Sequence, residues 1–155
     1  MKFVFLFLGK TRENYLDEGI RDYMKRLARF VQVECVIIKE SVSKKIPENV
    51  LQLREADLLL EKCSDTSLIV ALDPGGKEID SEGLARVITS WEESGVRTIH
   101  FLIGGHYGLH DNVLQKAGLV LSLSRMTFTH EMARLVLLEQ LYRGCMIKSG
   151  RSYHY

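Results

Sequence analysis

Five short apolar runs separated by stretches of helical periodicity constrain this chain more than any other feature. The runs cover residues 2–8, 31–39, 68–73, 98–103 and 119–123 and are rich in aliphatic, β-branched or aromatic side chains, as strands of a sheet are. Between them, "ENYLDEGIRDYMKRLARF" places Tyr15, Ile20, Tyr23, Met24 and Leu27 largely on one helical face, and "PENVLQLREADLLLEKC" opens with a proline suited to a first helical turn. "DSEGLARVITSWEES" sets Leu84, Val87, Ile88 and Trp91 at helical spacing. Strands alternating with helices predict an α/β fold, with a mainly parallel sheet flanked by helices on both faces. No linker, repeat or low-complexity tract interrupts the pattern, so residues 1–155 are expected to form a single domain.

Composition excludes several classes. At 155 residues, 46% hydrophobic and 26% charged, the chain is large enough for one core and is neither disordered nor membrane-like. The apolar run from Phe3 to Leu8 is far too short to span a bilayer, and a cytoplasmic protein with no membrane partner is expected. Cys35, Cys63 and Cys145 are 28 and 82 residues apart, match no disulfide or zinc spacing, and read as reduced core thiols.

In open parallel sheets, ligands bind beyond the carboxyl ends of the strands. Three segments therefore qualify: "PGGK" after Asp73, "GGHYG" after Ile103 and "SRMTFTHEM" after Leu123. Pro74 followed by Gly75 suits a type II turn, although Leu72 at the strand end could line a pocket. Gly104, Gly105 and Gly108 crowd into five residues, as in a loop that another backbone or a ligand approaches closely. That loop is neither a dinucleotide fingerprint nor a phosphate loop. His106 and His110 flank Gly108, which argues against the helix that would align them as ligands, and no metal is expected.

Charge is uneven. Residues 1–45 carry 10 basic against 6 acidic side chains, 46–124 carry 6 against 12, and 125–155 carry 5 against 2. Any RNA should therefore meet the termini, with Arg143, Lys148 and Arg151 as contacts at the C-terminal end. In "EMARLVLLEQLYRGCMI" the apolar positions, Leu138 and Tyr142 among them, cover more than one helical stripe. The second stripe needs cover from the same chain or from another copy, and a homodimer through this C-terminal helix is expected.

"LIVALD", "FLIGG" with the following Gly108 and Leu109, "LSLSRMTFTHEMARLVLLEQLYR" and the terminal Tyr153-His154 pair together resemble the bacterial ribosomal RNA large subunit methyltransferase H family of the SPOUT superfamily, over nearly the whole chain. The resemblance implies a single SPOUT-type domain with a C-terminal trefoil knot, acting as a homodimer. It also implies methyl transfer from S-adenosylmethionine to N3 of a pseudouridine in 23S ribosomal RNA of the assembled ribosome. Carried over by position, the cofactor residues are Leu72, Gly104, Leu123, Ser124, Arg125, Met126, Thr127 and Phe128, with Gly105 beside them. Tyr153 and His154 come first for positioning the base and removing its proton, then His130 and Arg134. Relatives commonly place a basic residue after the Tyr-His pair, where this chain has Tyr155. Two other classes stay open on the residues alone: a flavodoxin-like nucleotide-binding module and a nonenzymatic ribosome-binding factor.

Overall fold

Apolar side chains on both sides of each central strand require cover on both faces, and the computed structural model, which describes residues 1–39 and 46–151, supplies it with helices. Tyr153 and His154 lie outside the described residues. In chain order the elements are β1 (Lys2–Leu8), α1 (Asn14–Leu27), β2 (Gln32–Ile38), α2 (Glu48–Glu61), β3 (Leu68–Glu78), α3 (Ser81–Glu93), β4 (Thr98–Ile103), α4 (Asp111–Lys116), β5 (Leu119–Ser122) and α5 (His130–Lys148). The strands form one sheet in the order β2-β1-β4-β3-β5, with every pairing parallel, so all their carboxyl ends lie at one edge.

Alternation along β1 and β4 divides the core in two. Phe3, Phe5 and Phe7 of β1, with Ile99, Phe101 and Ile103 of β4, pack beneath α1, α3 and α5. Val4, Leu6 and Leu8, with Leu102, face the other way onto Ala56 and Leu59 of α2 and Val113 of α4. Phe101 anchors the first layer: its ring stacks on Phe5 at 5.2 Å and meets Phe3 edge-on at 5.2 Å and Trp91 at 6.3 Å. Cys145 is buried in the same layer, where desolvation pushes its thiol up to about 11.

Four details differ from the sequence reading. Tyr15 is 65% exposed, and Leu16 takes its place on the inner face of α1. No type II turn forms at Pro74-Gly75, because that turn needs a positive φ that Gly75 lacks; β3 instead bulges at 73–76 and resumes pairing with β5 at Lys77. The short helix α4 is an addition, capped by His110, whose Nδ1 accepts the Asn112 N–H at 3.1 Å. Finally, Leu138 and Tyr142 are not free for a second copy. Leu138 is fully buried, and the Tyr142 ring packs 6.0 Å from both Tyr23 and Phe30. Leu137, Leu138, Leu141 and Cys145 of α5 are covered because the helix lies between α1 and α3 of its own chain, while Ile147 is exposed and Met132, Val136 and Met146 are partly buried.

The first turn of α5 also fixes the β1–α1 connection. Glu13, at the start of α1, offers no side-chain cap, and the Glu131 carboxylate accepts the backbone N–H groups of Arg12 (3.0 Å) and Glu13 (3.2 Å) instead. Arg134, only 1% exposed, donates to the Leu8 carbonyl at 2.6 Å and to Thr11 Oγ1 at 3.1 Å, and stacks over Phe7 at 4.7 Å. Burial pushes the Glu131 carboxyl upward, but the two backbone N–H groups and the nearby His130 and Arg134 outweigh it and hold it below the usual carboxylate range. A carboxyl with a depressed folded value stabilises the protein above its unfolded value, and that contribution disappears as pH falls through the folded value. Glu131→Gln should therefore cost about 1.5–3 kcal/mol near neutrality. The gap between the variant and the parent in urea unfolding should narrow as pH falls below about 4; a gap of constant size would contradict this account of Glu131.

Candidate active site

At the edge where the parallel strands end, β3, β4 and β5 release their chains around a cleft of about 490 Å³, within the range for sites that enclose a small organic ligand. Leu72, Asp73 and Pro74 form one wall and Ile103, Gly104, Gly105, His106 and Gly108 a second. Leu121, Leu123, Ser124, Met126, Thr127 and Phe128 form the third, and Thr129, His130 and Ala133 at the start of α5 complete it. Every cofactor residue named from the sequence lines the cleft except Arg125. Its side chain is 89% exposed, and its Nε donates to Glu78 at 3.0 Å.

Each wall has a local cause. The segment after β5 is shaped by Ser122, whose hydroxyl donates to the Ser124 carbonyl at 3.1 Å, and by Ser124, whose Oγ accepts the Met126 N–H at 2.9 Å. This turn leaves Met126 74% exposed at the mouth of the cleft. Thr129 caps α5 by accepting the Met132 N–H at 3.2 Å, which places His130 in the first turn with its Nε2 3.9 Å from Glu131 Oε1.

The glycine loop is a closed turn. The Gly108 N–H donates to the Gly105 carbonyl at 3.2 Å, and Gly108 has φ +81°, a conformation that favours glycine. The room left by the missing side chain at Gly104 is filled by the loop itself, since a Cβ there would stand 2.5 Å from the Gly108 carbonyl carbon and 2.7 Å from the Leu109 nitrogen. At Gly105 it is filled by α2, where a Cβ would meet the Glu55 carboxylate oxygens at 2.8 and 2.9 Å. Gln52 of the same helix donates to the Tyr107 carbonyl at 2.7 Å. The sequence reading missed Gln52 and Glu55. Their signal was helical spacing: 52, 55, 56 and 59 share the face that Ala56 and Leu59 bury.

The other expected site residues are not gathered here. Arg134 is held beneath the β1–α1 connection and is not among the lining residues. Arg143 pairs with Glu139 through Nε (3.1 Å) and Nη2 (2.5 Å), and Lys148 pairs with Glu92. The Arg151 guanidinium lies 5.8 Å over the Phe30 ring. At 1.5 Å per residue, Lys148 stands about 27 Å along α5 from His130. Among the described residues no three His, Cys, Asp or Glu side chains cluster as metal ligands, and no helix is long and apolar enough to cross a membrane.

The family model described as "Predicted SPOUT methyltransferase" matches residues 1–154. The ribosomal RNA large subunit methyltransferase H of Desulfotalea psychrophila is 44% identical over 99% of both chains. The protein of that name from Trichlorobacter lovleyi is 39% identical over 100% of both. Among solved structures, a probable methylase family protein from Haemophilus influenzae covers 99% of this chain and 70% of its own, with a TM-score of 0.55 at 12% identity, a likeness of fold alone. The match to the family model and the full-length identities place the chain in the ribosomal RNA large subunit methyltransferase H family of SPOUT methyltransferases.

Proposed function

We propose that the cleft binds S-adenosylmethionine and that the protein, as a homodimer with a C-terminal trefoil knot, methylates N3 of a pseudouridine in 23S ribosomal RNA of the assembled ribosome. The observation that carries this reading is the convergence of three separate strand-end segments on one cleft at the edge where parallel sheets bind ligands.

The residues present fit the cofactor. Leu72, Ile103, Leu121, Leu123 and Phe128 offer apolar surface for the faces of an adenine, and the backbone of 123–128 offers polar groups for its edge. S-adenosylmethionine supplies a sulfonium methyl that is already activated, so the chain need only align the nucleophile and exclude water. As N3 gains the methyl it loses its proton, and help from a general base is worth roughly 10² to 10⁴ in rate. Of the residues expected for that role, His130 is the one among the described residues that lines the cleft.

Tyr153 and His154 are a different matter. Three extended residues beyond Arg151 span at most about 11 Å, less than half of the about 27 Å that α5 sets between its two ends. If this pair serves a cleft, the cleft belongs to a second copy, and that is the support for a working homodimer. Arg143, Lys148 and Arg151 then stand beside the partner's cleft as RNA contacts.

Titration calorimetry with S-adenosylmethionine, FMN and ATP should show binding of the first alone, and Gly104→Ala should weaken it by at least about tenfold, because its Cβ prevents the loop from closing on Gly108. Preference for FMN or ATP would replace this reading with a nucleotide-binding module. Dimer function has its own test. A chain truncated after Gly150 should bind the cofactor but methylate ribosomes at least about 10²-fold more slowly. Mixing it with the Gly104→Ala chain should restore part of the rate, since one copy then supplies the cleft and the other the tail. No recovery in exchanged mixed dimers would contradict the shared site.

A further inference from the structure

Among the described residues that line the cleft there is no lysine or arginine. An RNA strand that delivers a nucleotide to the cleft brings one phosphate per nucleotide, and proteins meet those charges with cations. The opposite edge of the sheet, where the strands begin, carries such cations. There the α1–β2 and α3–β4 connections, residues 28–31 and 94–97, border a groove of about 910 Å³ lined by Lys2, Arg29, Phe30 and Arg97 among others. Part of its charge is already matched: Lys2 pairs with Glu34, and Glu92, the acidic residue of the lining, pairs with Lys148. Arg29 and Arg97 are exposed and form no ion pair among the described residues. Their backbones are fixed. The Arg97 carbonyl accepts the Lys2 N–H at 2.8 Å where β1 begins, and the Arg29 N–H donates to the Arg26 carbonyl at 3.2 Å where α1 ends.

The groove adjoins the far end of α5. Lys148 reaches Glu92 of its lining, and the Arg151 guanidinium lies over the ring of Phe30. Wherever the tail of one copy meets the cleft of the other, the groove of the first copy therefore stands beside that cleft. We propose that this groove binds the phosphate backbone of the RNA strand whose target nucleotide occupies the partner's cleft, with Arg29 and Arg97 as phosphate contacts. The proposal rests on the reading of the protein as a homodimer that methylates ribosomal RNA. Neither arginine lines the cleft of its own chain, which lies at the other edge of the sheet. Loss of the pair weakens capture of the ribosome and leaves cofactor uptake and the transfer step as they were.

The test compares the parent chain with Arg29→Ala/Arg97→Ala, with Arg29→Lys/Arg97→Lys and, as a control of equal charge, with Arg54→Ala/Lys62→Ala at exposed positions at and just beyond α2. Methylation is followed across the concentration of ribosomes lacking the methyl group and across salt, cofactor affinity by calorimetry, and mass by light scattering. Every substituted side chain is exposed, so all the chains should fold. The alanine pair should raise KM for ribosomes at least about tenfold and keep kcat within about twofold. It should also flatten the dependence of log kcat/KM on log salt by about 1 to 2, as loss of two phosphate contacts requires. The lysine pair should restore that slope, which follows charge and not shape. The control should match the parent, and every variant should remain a dimer with the parent's affinity for S-adenosylmethionine. Unchanged KM and salt slope in the alanine pair, a loss confined to kcat, or a lysine pair as flat in salt as the alanine pair would overturn the inference. So would an equal loss in the control, which would mark an effect of net charge, or a monomeric alanine pair, which would make the groove a contact between copies. A parent chain that methylates no ribosome would instead overturn the reading of function, and the inference with it.

Discussion

The seating of α5 on the sheet, between α1 and α3, sets most of what the rest of the molecule can do. Small residues permit it: a side chain at Gly19 would stand 3.0 Å from Leu135, and one at Gly144 would stand 3.0 Å from Ile88, so the helices approach more closely than larger residues would allow. Seated this way, α5 buries Leu137, Leu138, Leu141 and Cys145 against the phenylalanines of β1. Its first turn then reaches the carboxyl edge of the sheet, where Glu131 caps α1, Arg134 holds the end of β1, and His130 joins the cleft. One helix thus couples the core, the β1–α1 connection and the site.

The cleft itself is built on a division of labour between its two sides. Toward the ligand it presents aliphatic and aromatic side chains with backbone groups between them. Behind, polar side chains fix that backbone: Ser122 and Ser124 shape the segment after β5, Thr129 starts α5, and Gln52 supports the glycine loop. Such an arrangement suits a reaction in which the electrophile arrives activated and the protein's task is alignment.

Much of this was legible in the sequence for a physical reason. Strands β1 and β4 have the expected bounds because buried parallel strands read as continuous apolar runs, and α1 and α3 announce themselves by periodicity. The strand-end rule then selected three segments that do surround one cleft. What stayed hidden depends on tertiary context. Nothing local distinguishes Tyr15 from Leu16 as the inner residue of α1, and nothing local says that Pro74-Gly75 bulges within a strand rather than ending it. Leu138 and Tyr142 of α5 could be covered by the same chain or by another, and only the placement of α1 and α3 shows that the same chain covers them. Glu55 was passed over because a glutamate in a helix is ordinarily solvated, whereas here it is buried with its carboxylate beside Gly105, fifty residues away.

The central claim is that this cleft carries out methylation of ribosomal RNA, and it is tested most directly by mass spectrometry of nucleosides from 23S RNA. Ribosomes from a strain lacking the modification would be incubated with the purified protein and S-adenosylmethionine labelled in its methyl group. The account predicts one labelled methyl per large subunit, found on N3 of a pseudouridine and absent when cofactor or protein is left out. Labelled cofactor recovered intact beside unmethylated RNA, or label on a nucleoside other than pseudouridine, would contradict it.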